Sequence, residues 1–140
     1  MHPETMVSLI DQALEQDDFL QAAALIERFK IRVVMDASCC TDDTVIAAIH
    51  LLAYREEENP KFQELKERIS PEQRYTIFRQ QLMLVENEFE AGKLPAPYWI
   101  APYGIKKHAE KDVRNEELFP NVEECKSVRQ EVLAILKENI

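Results

Sequence analysis

The chain has only two glycines in 140 residues, Gly92 and Gly104, and this constrains its fold more than any other feature. Tight hairpin turns need residues at positive φ, which glycine supplies without steric cost. Two glycines argue against a β-meander. They also exclude a P-loop or a dinucleotide fingerprint, since each clusters two or three glycines to bring backbone against phosphate. What remains is an all-α expectation, and the apolar spacing supports it.

Met6, Leu9, Ile10, Ala13 and Leu14 recur at helical intervals behind Pro3, a residue suited to a helix's first turn. Asp17 or Asp18 serves as the next N-cap. Phe19, Ala22, Ile26, Phe29 and Val33 then form one stripe, with Gln21, Glu27, Arg28 and Arg32 mostly off it. The two segments read as an αα-hairpin. Ile31 to Met35 suits a strand by composition, but the stripe runs through Val33 and predicts a helix end. Ala37 to Asp43 reads as a loop whose Thr41, Asp42 and Asp43 cap a helix running to Glu57. Val45, Ile46, Ile49, Leu52 and Ala53 make that helix the most apolar and so the central one.

Asn59-Pro60 stops it, and a short helix covers 61–69. Ser70-Pro71-Glu72-Gln73 is a capping box with proline at N1. It opens a long helix to Ala91 with Tyr75, Phe78, Leu82, Val85 and Phe89 on its stripe. Gly92 supplies the C′ stop. Asn121 caps the last helix, whose stripe reads Val122, Cys125, Val128, Val132 and Ile135. The prediction is one helical domain over 1–140, a bundle of five to six helices. The 45–57 and 71–91 helices form its spine, and an irregular Pro- and aromatic-rich strap (93–105) returns across them.

Leu14 to Lys30, LEQDDFLQAAALIERFK, resembles the short helical hairpin motif of the excision-repair UvrB and UvrC proteins in its acidic turn, its Phe and its small-residue run. The resemblance covers 17 residues and implies a helical hairpin, with no activity attached.

Charge sets the partner class. The formal charge is −9, with 18 acids and nine bases in residues 1–92 and eight of each in 93–140. Such a surface repels a polyanion, so no direct nucleic-acid binding is expected. Val45 to Tyr54 is too short an apolar run to cross a bilayer. The N-terminus lacks the basic and apolar regions of a secretory leader. With three cysteines, an odd number, these features predict a cytoplasmic protein with reduced thiols.

Candidate chemistry is sparse. His2, His50 and His108 have no i, i+4 partner, and adjacent Cys39 and Cys40 lack knuckle spacing, so no metal site or cofactor is expected. Asp36, Asp42 and Asp43 would raise a nearby thiol pKa rather than activate it. No serine sits in an elbow motif, and no catalytic residue is assigned.

The distinctive stretch is Pro95 to His108. Tyr98, Trp99 and Tyr103 between prolines, followed by Lys106, Lys107 and His108, are the candidate binding residues. They read either as a structural strap or as an anchor. The function expected is a non-enzymatic interaction module, such as an adaptor, an inhibitor or an immunity-type protein. It would bind a basic protein partner through its acidic surface, through the strap, or both. The alternative is an enzyme or small-ligand domain with a pocket lined by 98–108. Three-four stripes can also support a homo-oligomer.

Overall fold

The computed structural model describes residues 1–109 and 112–139, with Tyr54 and His108 described by their backbone alone. Among the described residues there is no strand. The helices are α1 (Pro3–Glu15), α2 (Phe19–Cys39), α3 (His50–Glu58), α4 (Pro60–Arg68), α5 (Pro71–Glu90), α6 (Ile105–Ala109), α7 (Asn115–Leu118) and α8 (Val122–Glu138). Two 3₁₀ segments, Asp43–Ile49 and Pro97–Tyr103, complete them. The all-helical expectation stands. The count of five to six does not, because short segments add elements, and the strap 93–105 contains a 3₁₀ helix rather than irregular chain. Among the described residues no helix is long and apolar enough to cross a membrane.

By contact the chain divides into two units, Met1–Lys30 with His50–Leu94, and Ile31–Ile49 with Pro95–Ile140. In the first unit, local chemistry sets the helix ends. The His2 Nδ1 accepts from the Glu4 N–H at the start of α1. Asp17 takes the left-handed conformation (φ 55°) that lets the chain leave α1. Asp18 then accepts from the Gln21 N–H, so Asp18 is the cap. Asn59 both ends α3 and caps α4 through the Lys61 N–H. At α5 both capping-box bonds form, Gln73 N–H to Ser70 Oγ at 3.1 Å and Ser70 N–H to Gln73 Oε1 at 2.9 Å. Gly92 ends that helix at φ +69°.

Core assignments differ along the chain. Met6, Ile10, Ala13 and Leu14 of α1 are buried, as are Phe19, Ala22, Ile26 and Phe29 in the first-unit part of α2. Helix α5 buries Ile77, Leu82 and Val85 but leaves Tyr75 exposed. Its period thus holds only in the middle of the expected stripe. Helix α4 packs on both α1 and α3 and buries Phe62 and Leu65.

In the second unit, α2 carries on to Cys39, so the expected loop shortens to the few residues after it. The expected 45–57 helix is divided. Residues 43–49 coil more tightly than an α-helix, and α3 begins only at His50. Val45 and Ala48 are buried, while Ile46 is exposed. Segment Pro97–Tyr103 is the hub, packing against Asp43–Ile49, α6 and α7. Helix α8 buries Cys125, Arg129 and Leu133, whereas Val122 is 71% and Ile135 56% exposed. The expected stripe on α8 is therefore rotated, because an arginine occupies the inward position.

Candidate functional site

The inward arginine belongs to a polar knot inside the second unit. Asp36 sits on α2 one turn after Arg32, the i, i+4 spacing that brings opposite charges together on a helix. Arg32 donates to Asp36 Oδ2 from Nε (3.2 Å) and Nη2 (2.8 Å). Arg129 of α8 grips Oδ1 the same way, at 3.1 and 2.7 Å. The Trp99 Nε1–H donates to Oδ2 at 2.6 Å. Both guanidiniums also donate to the Pro95 carbonyl, at 3.0 and 2.7 Å. Arg32 and Asp36 are 0% exposed, and Arg129 and Trp99 6%.

One carboxylate thus accepts five hydrogen bonds. That fills the roughly four lone-pair sites a carboxylate offers and leaves none for a substrate or metal. Two guanidiniums against one carboxylate leave an excess positive charge, which the Pro95 carbonyl dipole offsets. The knot is an internal clasp. It ties the strap's first residues to α2 and α8.

A second group of bonds fixes the far end of the strap. Asp42 Oδ1 accepts from the Thr44 N–H and hydroxyl, and its Oδ2 from the Lys106 N–H at 3.0 Å. The Thr44 hydroxyl oxygen accepts from the Ile105 N–H at 2.9 Å. These bonds lower the Asp42 pKa, the Thr44 hydroxyl most of all. Gly104 is required by space and not by φ. A Cβ there would lie 2.3 Å from Asp42 Oδ2 and 2.7 Å from Val45 Cγ1.

The six candidate binding residues therefore separate. Trp99 is buried, its polar edge held by Asp36, and its ring meets Tyr103 edge-on at 6.0 Å. Tyr98 is 38% exposed and stacks edge-on against buried Phe119 at 5.2 Å. Lys107 Nζ donates to the Val113 carbonyl. Lys106 is exposed, beside Ile105 at 68%. His108 lies in α6, and its side chain is outside the described residues. Tyr98, Ile105 and Lys106 remain as surface.

Sequence reasoning passed over Arg32, Asp36 and Arg129. The signal was present: Phe29, Val33 and Asp36 share one stripe, and a carboxylate there demands a partner. Nothing local identified the partner 93 residues on.

The thiols are buried as well. Cys39 Sγ lies 3.7 Å from the Cys125 carbonyl oxygen, and Cys125 Sγ 3.5 Å from that of Pro120. Burial pushes all three thiols up, Cys39 to about 12. The nearby aspartates act in the expected direction, as lesser causes. Among the described residues no three of His, Cys, Asp and Glu converge on a metal-sized space.

The first unit has an open cleft of about 330 Å³ counting its mouth, lined by Ala23, Ile26, Phe62 and Leu65 beneath Glu27, Lys30, Glu56, Lys66 and Arg74. Burial raises the Glu27 pKa, against the pull of Lys30 and Arg74. The enclosed part of the cleft is only about 20 Å³, room for a water molecule and far below the volume of a ligand pocket.

Comparison with family models, curated proteins and solved structures gives no match to this chain.

Proposed function

We propose that the chain is a non-enzymatic interaction module that binds a basic protein partner through the acidic surface of its first unit. The supporting observation is how charge is used there. The unit carries 15 acids and nine bases, a net of −6, against 11 and eight, a net of −3, in the second. Arg28, Lys30, Arg55, Lys61, Lys66 and Arg68 each pair with an acid of the same unit. Glu57 and Glu58 at the end of α3, and Glu67 on α4, are exposed. Such a surface steers a cationic partner and speeds its encounter. Tyr98, Ile105 and Lys106 supply a separate apolar rim with a cation. The small-ligand reading of 98–108 has less support, since Trp99 and Lys107 are engaged internally.

The test uses the full chain and a Glu57→Lys/Glu58→Lys variant as baits for basic proteins of the source cell. A partner's affinity should fall at least tenfold between about 0.05 and about 0.5 M salt, as screening shortens the reach of charge. It should fall similarly for the variant. Retention indifferent to both changes would refute the acidic-surface reading.

A further inference from the structure

The three cysteines divide in a way that the adjacency of Cys39 and Cys40 conceals. Cys39 is on the last turn of α2, and its thiol points at Cys125 in the first turns of α8. Its S–H donates to the Cys125 carbonyl oxygen at 3.7 Å, and the Cys125 S–H donates to the Pro120 carbonyl at 3.5 Å. Both residues belong to the second unit. They are 3% and 6% exposed, so both thiols are held inside the unit and away from exogenous thiols. Cys40, although adjacent in sequence, takes no part in these bonds; its surroundings are Asp42 and Lys106.

We propose that Cys39 and Cys125 form a latent disulfide site, closed by a two-electron oxidant of the peroxide class, which would join the end of α2 covalently to the start of α8. The chemistry balances as follows. The Cys125 thiolate attacks a peroxide oxygen, the O–O bond breaks, a sulfenic acid forms, and the departing hydroxide takes up the proton that Cys125 released and leaves as water. The Cys39 sulfur then attacks the sulfenyl sulfur, the S–S bond forms, and the S–O bond breaks. The Cys39 proton leaves with the second water. Two thiols lose two electrons and two protons, and one peroxide becomes two waters.

The order of attack follows from the surroundings. Burial raises both thiols, Cys39 to about 12; the Arg129 guanidinium favours both thiolates, and the Cys39 side chain favours that of Cys125 alone. Cys125 is also near the positive end of the α8 dipole. Burial makes the reaction slow, so the pair resists casual oxidation and responds to sustained exposure.

The experiment treats the reduced full chain with hydrogen peroxide and follows its intact mass. The expected product has lost two hydrogens and gained no oxygen. Tryptic mapping without reduction should join Val33–Arg55 to Asn115–Lys126. Cys39 and Cys40 share the first peptide, so Cys40→Ser assigns the bond: it should still cross-link, and Cys39→Ser should not. Closing so long a loop should raise the Tm by about 10 °C, reversibly on reduction. A Cys39–Cys40 bond, oxygen addition to Cys125 without a cross-link, or a link formed only after denaturant is added would overturn the proposal. If Cys39→Ser fails to fold, mapping of the Cys40→Ser chain decides the matter, because Cys39 is then the one cysteine left in the first peptide.

Discussion

A single carboxylate, Asp36, organises the second unit. Its five donors come from three separate parts of the chain, so its loss is felt by all of them. Asp36→Asn keeps the shape but leaves two buried guanidiniums without their counter-charge. It should cost about 3–5 kcal/mol of stability in denaturant titrations. Trp99→Phe keeps the aromatic body and removes one hydrogen bond to a charged acceptor. A loss of about 1.5–3 kcal/mol is expected, with affinity for a partner of the acidic surface unchanged. A loss of affinity at full stability would instead make Trp99 an anchor. Cys39 gives a pH signature in the opposite range from most carboxylates. Its thiol is raised from 9.0 unfolded to about 12 folded, so the folded state favours the protonated form. Its contribution is complete below pH 9 and is lost as pH rises towards 12, by about 1.4 kcal/mol for each pH unit between the two values. Alkaline unfolding monitored by circular dichroism should therefore begin later in Cys39→Ala than in the parent, relative to each protein's neutral stability.

At the scale of elements, the helix ends were legible and the inward faces less so. Ser70, Gln73 and Gly92 announce α5 in the sequence because capping is local, and the bonds form as the spacing requires. The same locality made Asn59-Pro60 readable as a stop, to which the structure adds Asn59 as the cap of α4. The face of α8 was misread because a 3.6-residue period admits neighbouring stripes, and an apolar count favours Val122 and Ile135 over Arg129. Arg129 turns inward only because Asp36 meets it there. The division of 43–57 into a 3₁₀ segment and α3 was equally hidden, since Asp42 and Thr44 are directed at the amides of residues 105 and 106. Gly104→Ala tests that junction. The added methyl cannot fit beside Asp42 and Val45, and about 1–3 kcal/mol should be lost in thermal or chemical unfolding. Equal stability would show that the strap end shifts freely.

For the whole molecule, charge governs behaviour in solution. The formal charge of −9 and a sequence pI near 4.9 keep copies apart at neutral pH, and that repulsion vanishes near the pI. Light scattering should be flat above about pH 7 and rise steeply near pH 5, reversing on return; a flat trace throughout would mean other forces keep the chain dispersed. The sequence by itself determined the helical class, the capped starts of α2, α5 and α8, and the total charge. These depend on residues within about four positions of one another or on simple sums. Tertiary structure alone decided that Trp99 is a clasp, that Arg129 faces inward, that Cys39 meets Cys125 and not Cys40, and that the acidic excess is shared by units interleaved along the chain. Each of these depends on groups between 63 and 93 residues apart, or on the assembled units. No local period encodes them, and only burial makes a partner obligatory.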